Sequence, residues 1–284
     1  MNSISVIILT YNEEKHIERC IRNLFRITKH IFIVDSYSSD RTVEIAKSLG
    51  VVVYQNPWVN YATQFNWAFE NCPINTDWTM RMDCDEYLLD ELIQEVNSKL
   101  PNLPADIGGI ILKRRVIFMN KWIRRGGFYP HNLLRIWRTG TAKLEDRWMD
   151  EHVVLDKGET IFFKHDMVDH NLNDLTWWIN KHNSYASREV IDLMHIENKT
   201  TSAQNVESTL SGEQYSRKRW VKENIYSRIP LFVRPFIYFT YRYIFLLGFL
   251  DGTPGLIWHF LQGFWYRFLV DAKIYENKIN KLSK

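Results

Sequence analysis

Short β-branched runs alternate with helix-period segments over the first ninety residues, and this alternation constrains the fold more than any other feature of the chain. Ile4-Ser5-Val6-Ile7-Ile8-Leu9 reads as a buried parallel strand, because its near-continuous apolar run leaves neither face polar. Ile17, Cys20, Ile21, Leu24 and Phe25 then recur at helical spacing, with Asn12 placed to cap that helix. Ile31 to Val34, Val51 to Tyr54 and Trp78 to Met82 read as three further strands. Helices are expected between them over 41–49, with Asp40 as cap, and over 61–71. Strands alternating with helices predict an α/β fold, a mostly parallel sheet with helices on both faces.

In such sheets a ligand sits beyond the carboxyl ends of the strands. Three polar clusters fall there: Thr10-Tyr11-Asn12-Glu13, Asp35-Ser36 and Asp83-Cys84-Asp85-Glu86. On an extended chain two carboxylates one residue apart point to opposite sides. A turn lets one reach a divalent cation while the other takes a ribose or a metal-bound water. Mg²⁺ and Mn²⁺ prefer such oxygen ligands, with substrate phosphates completing the shell.

The runs Ser5 to Glu14, Val34 to Thr42 and Asp83 to Glu86 resemble family 2 glycosyltransferases of the GT-A fold. Tyr129-Pro130, Arg135 through Arg138, Glu151, Lys181 through Tyr185 and Gly248 through Gly252 extend the resemblance over nearly the whole chain. The branch it looks most like contains the bacterial lipopolysaccharide-core β-1,4-glucosyltransferases. The resemblance implies that Thr10 and Tyr11 border the base, with Tyr11 stacking on it, and that Glu13 lies near the nucleotide. It implies that Asp35 holds base or ribose, that Asp83 approaches ribose and metal, and that Asp85 is the main metal ligand. Ser36 stands where many relatives carry a second acid.

An inverting transfer needs a base for the acceptor hydroxyl, and a carboxylate suits that task. Glu151 matches the Glu of a His-Glu pair in the resembling enzymes, and Asp150 stands where they have His. Glu151 is the expected base, with Asp150 the alternative. Arginine forks suit phosphate, so Arg124, Arg125, Arg135 and Arg138 are candidates for gripping the donor diphosphate or a phosphorylated acceptor. Arg135 and Arg138 are assigned here to the nucleotide sugar. His170, Lys181 and Tyr185 are expected near the acceptor. Asp251 reads as a turn residue capping the helix that follows it.

The remaining organisation is read from composition. Residues 1–216 form the expected glycosyltransferase domain, with 1–105 binding the nucleotide sugar and 106–216 the acceptor. Residues 217–284 carry twelve Lys/Arg against four Asp/Glu, although the whole chain has a formal charge of only +3. Seventeen of its 41 aromatic residues also lie in that tail. Basic residues interleaved with aliphatic and aromatic ones point to helices lying in a membrane interface, and away from nucleic acid. Arg234, Arg242, Asp251 and Arg267 interrupt every apolar run, so no span of about 20 apolar residues forms. Cys20, Cys72 and Cys84 fit neither a zinc site nor a disulfide framework, and no signal peptide is visible at the N-terminus.

The expected protein is an inverting, Mg²⁺- or Mn²⁺-dependent enzyme at the cytoplasmic face of the inner membrane, peripherally bound. It would move a sugar from a nucleotide sugar, UDP-linked by expectation, to a lipid-linked or membrane-embedded saccharide in cell-surface polysaccharide synthesis. Two alternatives are transfer to a polyprenyl phosphate and a non-catalytic nucleotide-sugar-binding membrane module.

Overall fold

A computed structural model describes residues 3–144, 153–197, 220 and 226–282. In chain order the first elements are β1 (Ile4–Thr10), α1 (Ile17–Leu24), β2 (His30–Asp35), α2 (Thr42–Ser48), β3 (Val52–Gln55) and α3 (Tyr61–Asn71). They are followed by β4 (Trp78–Asp83), β5 (Glu86–Leu88), α4 (Asp90–Lys99), β6 (Ile107–Phe118), β7 (Lys121–Ile123), β8 (His131–Arg138) and β9 (Ala142–Leu144). The last are β10 (Val153–Leu155), β11 (Glu159–His170), α5 (Leu175–Glu197), α6 (Arg234–Thr240), α7 (Gly252–Trp258) and α8 (Tyr266–Leu282). The chain forms two compact units. Residues 3–117, 130–144 and 153–172 make the first, and residues 118–129, 173–197, 220 and 226–282 the second. The helix over 175–197 thus groups with the C-terminal helices, and the expected boundary after residue 216 lies outside the described residues.

The main sheet of the first unit runs in the order β3-β2-β1-β4-β8-β6-β11-β5, and β9 and β10 pair antiparallel as a separate small sheet. The first four strands are parallel, as the alternation of strand and helix predicts. The sheet is nevertheless mixed, because β8 runs antiparallel to both β4 and β6, and β5 runs antiparallel to β11. Both faces are apolar at β1. Val6 and Ile8 join a core with Ile17, Ile21 and Leu24 of α1 and Leu92 and Val96 of α4. Ile7, between them, points to the other core with Phe65 of α3 and Trp137 of β8. Period-two side chains buried on both faces are why β1 reads as a continuous apolar run.

One helix start in this unit differs from expectation. Asn12 does not cap α1: it has a left-handed backbone (φ 56°), and its side-chain oxygen accepts from Ser39 N across the loops. His16 occupies the cap position of α1 without a side-chain cap bond. Asp40 does serve α2, accepting from Thr42 N at 3.0 Å.

The second unit is mainly helical. Ala186 and Val190 of α5 pack with Tyr266 and Val270 of α8. Glu189, nearly buried, accepts from Tyr266 Oη (2.7 Å) and Arg267 Nη1 (2.8 Å). Arg234 at the start of α6 is buried against Asp271 of α8, donating from Nε at 2.7 Å. The basic tail is therefore partly an internal ion-pair scaffold. Asp251 precedes α7 but makes no side-chain cap bond to it. Its Oδ2 instead accepts from Arg124 N (3.0 Å) and Arg125 N (2.8 Å), two backbone donors with no other partner among the described residues.

Candidate active site

Register brings the polar ends of three strands level. Thr10 of β1 pairs with Asp35 of β2, and Leu9 pairs with Asp83 of β4. The three polar clusters therefore share the carboxyl edge of the parallel half of the sheet, the place where such sheets bind ligands.

At the β1–β2 end, Asp35 is fully buried and saturated from within the chain. Its oxygens accept from Thr10 Oγ1 (2.8 Å), Ser38 N (2.8 Å) and the Ser38 hydroxyl. Asp35 thus braces the 36–39 loop, and Thr10 is buried as its partner. Tyr11 stands out beside them, 61% exposed, a ring free to stack. Glu13 is tied inward: its carboxylate accepts from His16 Nδ1 at 2.6 Å, while His16 Nε2 accepts from Leu172 N at 2.8 Å. The backbone donor at Nε2 places the ring proton on Nδ1, so His16 links Glu13 to the end of β11.

At the β4 end the two carboxylates diverge. Asp83 Oδ1 accepts from Tyr61 Oη at 2.7 Å, and Oδ2 accepts from Arg135 Nη2 at 3.3 Å. The turn after it carries Asp85 to another environment, where Oδ2 accepts from Asn171 Nδ2 at 3.0 Å. The other Asp85 oxygen has no partner among the described residues. The Asp85 backbone is pinned: its carbonyl accepts from Arg19 Nη2 (3.0 Å) and from His170 N (2.9 Å).

Behind Asp83 lies a buried cluster. Arg135 also donates to Glu86 Oε1 at 2.6 Å, and Glu86 Oε2 accepts from Asp83 N at 3.0 Å. Arg114 bridges Glu86 and Asp169 at 3.5 and 3.4 Å. Burial pushes the Asp83 carboxyl up, but Arg135, Arg81 and the Tyr61 hydroxyl outweigh it and hold it well below the usual carboxylate range. Burial dominates at Glu86 and raises it, Asp83 and Asp169 adding to the effect against Arg135 and Arg114. The Cys84 thiol between the two aspartates is buried and pushed well up by burial, so it is inert as a metal ligand at neutral pH.

The structure does not bring all the candidate residues to this edge. Arg138 pairs with Trp78 at the far end of β4. Its guanidinium lies over the Trp78 ring and donates to the carbonyls of Leu103, Pro104 and Ile107. A strand rises about 3.4 Å per residue, so the three positions from Arg135 to Arg138 span about 10 Å. Arg135 reaches the site, but as a buried partner of Asp83 and Glu86. Arg124 and Arg125 belong to the second unit. Asp150 and Glu151 lie outside the described residues. Tyr61, Glu86, Arg114 and Asn171 join the site without having been singled out for it. Only Glu86 carried a local signal, as the next acid in the Asp83–Asp85 run.

Among the described residues, no three His, Cys, Asp or Glu side chains converge as a ready metal cage. The donor set still fits Mg²⁺ or Mn²⁺ completed by phosphate oxygens, which uses only one or two protein carboxylates. Asp85 would hold such an ion through its unpartnered oxygen. His170, joined to Asp85 through the backbone, lies beside it, and burial and Arg19 keep its imidazole below the usual histidine value, hence neutral at pH 7.

The family model for glycosyl transferase family 2 matches residues 5–171, and the chain belongs to that family. Its sheet with flanking helices is a GT-A-like fold. An uncharacterized glycosyltransferase of Rickettsia typhi is 43% identical over 96 residues, 34% of this chain and 32% of that protein. A lipopolysaccharide core biosynthesis glycosyltransferase of Rhizobium meliloti is 30% identical over 152 residues, 50% of this chain and 53% of that protein. The chain thus spans between a third and about half of the length of these relatives. Among solved structures, glucosyl-3-phosphoglycerate synthase from Mycobacterium tuberculosis with Mg²⁺ and uridine diphosphate is 19% identical, with a TM-score of 0.33, over 40% of this chain and 44% of that one.

Proposed function

We propose that the protein is an inverting, metal-dependent glycosyltransferase that moves a sugar from a nucleoside diphosphate sugar to a lipid-carried saccharide. The reading places it in bacterial lipopolysaccharide or related surface-polysaccharide synthesis, at the cytoplasmic face of the inner membrane. The observation that carries it is the pair of diverging carboxylates at one strand end: Asp83 is locked by Arg135 and Tyr61, and Asp85 keeps an oxygen open beside it. The named role of the Rhizobium relative supports the pathway.

A bound Mg²⁺ or Mn²⁺ supplies neutralisation of the diphosphate as it leaves. The chain's own residues do the rest. Asp85 would hold the ion, and Arg19 and His170 fix the Asp85 backbone that would aim it. Tyr11 covers the base by stacking. The acceptor hydroxyl attacks the anomeric carbon from the face opposite the diphosphate. As the new C–O bond forms and the bond to phosphate breaks, a carboxylate takes the hydroxyl proton. Glu151 is that carboxylate in this reading.

The test is a transfer assay with the nucleotide sugar and a lipid-linked saccharide extract. Glu151→Gln should lower kcat at least about a hundredfold while nucleotide affinity holds. Full transfer by Glu151→Gln, with Asp150 intact, would remove Glu151 from the role.

A further inference from the structure

The second unit carries a feature that glycosyl transfer does not use. Residues 124–127, Arg-Arg-Gly-Gly, form a loop fastened to the bend between two helical stretches. Asp251 accepts from Arg124 N and Arg125 N, Gly126 N donates to Leu246 O at 2.9 Å, and Arg242 Nε donates to Gly126 O at 2.6 Å. Gly126 and Gly127 both have left-handed backbones, at φ 68° and 70°. A Cβ on Gly126 would lie 2.0 Å from His259 Cε1, so only glycine lets the loop sit this close. An open pocket of about 320 Å³ results, lined by Arg124, Arg125, Gly126, Gly127, Tyr129 and Leu246.

The charges around the pocket are one-sided. Arg234 and Arg267 are neutralised by Asp271 and Glu189, and Arg242 is spent on Gly126 and on the Phe128 ring. Arg124 and Arg125 are exposed and have no carboxylate within ion-pair distance among the described residues. The nearby Asp251 carboxylate is buried and faces their backbone amides.

The bend that carries Leu246 is apolar and uncovered. Phe245 is 71% exposed, and Ile244, Leu247, Phe249 and Leu250 are exposed around it. No single helix among the described residues is long and apolar enough to cross a membrane, and the two stretches that meet here are bent by 68°. A sharp bend led by exposed Phe and Leu, rimmed by unneutralised arginines, suits insertion to the depth of the lipid headgroups.

We propose that this bend seats in an anionic bilayer and that the 124–127 pocket takes the phosphate of a lipid headgroup between Arg124 and Arg125. The inference rests on the membrane-side reading given above, but on none of the residues of the Asp83–Asp85 site. Guanidinium forks match phosphate oxygens, and Leu246 carries the pocket wall directly into the apolar bend.

The experiment is flotation of the full chain with vesicles of phosphatidylcholine alone or with phosphatidylglycerol added. Wild type should partition onto the anionic vesicles far more strongly. Arg124→Gln with Arg125→Gln should reduce that partitioning roughly thirtyfold, the share of two basic side chains near such a surface, and leave the weak binding to neutral vesicles unchanged. Phe245→Ser with Leu250→Ser should reduce binding to both. All four positions are exposed, and thermal unfolding checks that the variants stay folded. Asp85→Ala should float like wild type, so loss of transfer and loss of membrane binding are read separately. Equal flotation of the double arginine variant on anionic vesicles would overturn the proposal. So would a thermal shift with inorganic phosphate, dependent on the two arginines, in a protein that binds no vesicle, since the pocket would then serve a soluble phosphate.

Discussion

Replacing Arg135 by Met tests whether the charge cluster behind Asp83 is organised as described. Arg135 is buried and donates to Glu86 at 2.6 Å and to Asp83 at 3.3 Å. At an effective dielectric of about 20, charges at those separations attract by roughly 6 and 5 kcal/mol. Desolvation of the guanidinium offsets much of this, and removing one partner from a buried ionic set costs about 3–5 kcal/mol net. The cost should depend on pH. Without Arg135, burial raises the Asp83 and Glu86 carboxyls above their unfolded values. The folded variant then binds protons that the unfolded chain does not, so its stability falls as pH rises through those raised values. Urea unfolding followed by tryptophan fluorescence at pH 6 and pH 9 should show the larger loss at pH 9. Adding Glu86→Gln to Arg135→Met should restore at least about 1 kcal/mol, because one buried carboxyl is removed. A loss under about 1 kcal/mol, or a larger loss at pH 6, would refute the reasoning.

Two further expectations concern the second unit. Burial and Arg242 push the His259 imidazole down to about 4, and burial with Lys181 does the same at His182 against the Trp178 carbonyl bond. Both groups are neutral in the folded state, so their contribution is complete above about pH 6.5 and is lost as pH falls toward 4. The loss is up to roughly 3 kcal/mol each, and thermal melts across that window should lose their acid limb in part with His259→Leu. Gly126→Ala meets His259 at a positive φ and should cost about 3 kcal/mol or more by strain and overpacking together. Gly127→Ala, whose Cβ meets only a flexible Leu246 methyl at 3.0 Å and Arg242 at 3.8 Å, should cost about half as much in the same melts.

The parallel half of the fold was legible because β1, β2 and β4 are buried on both faces, and their apolar runs stop where polar residues begin. In-register pairing of Thr10 with Asp35 and of Leu9 with Asp83 then follows from topology. β8 and most of β11 were not legible. Arg135 was expected on the nucleotide sugar, and Asp166 and Asp169 had no role assigned, yet each is partnered by residues about fifty positions away, which no local pattern records. Arg138 was grouped with Arg135 by the family resemblance and by its guanidinium chemistry, but strand geometry carries it to the other end of β4. Asp251 was placed correctly at a turn, while its carboxylate went to amides of Arg124 and Arg125 more than a hundred residues earlier. Helix and strand periodicities report which face is buried, and they carry no information on which distant backbone a side chain will satisfy.

The central claim is that Asp85 holds a divalent cation that in turn holds the diphosphate of the donor. Titration calorimetry of the protein with uridine and guanosine diphosphates, each with Mn²⁺ and with chelator, tests it directly. One of the two nucleotides should bind at least about tenfold more tightly with Mn²⁺. That gain should vanish in Asp85→Ala while the melting temperature of the variant stays within a few degrees of wild type. Nucleotide affinity that is the same with chelator, or a Mn²⁺ gain that survives in Asp85→Ala, would contradict the account.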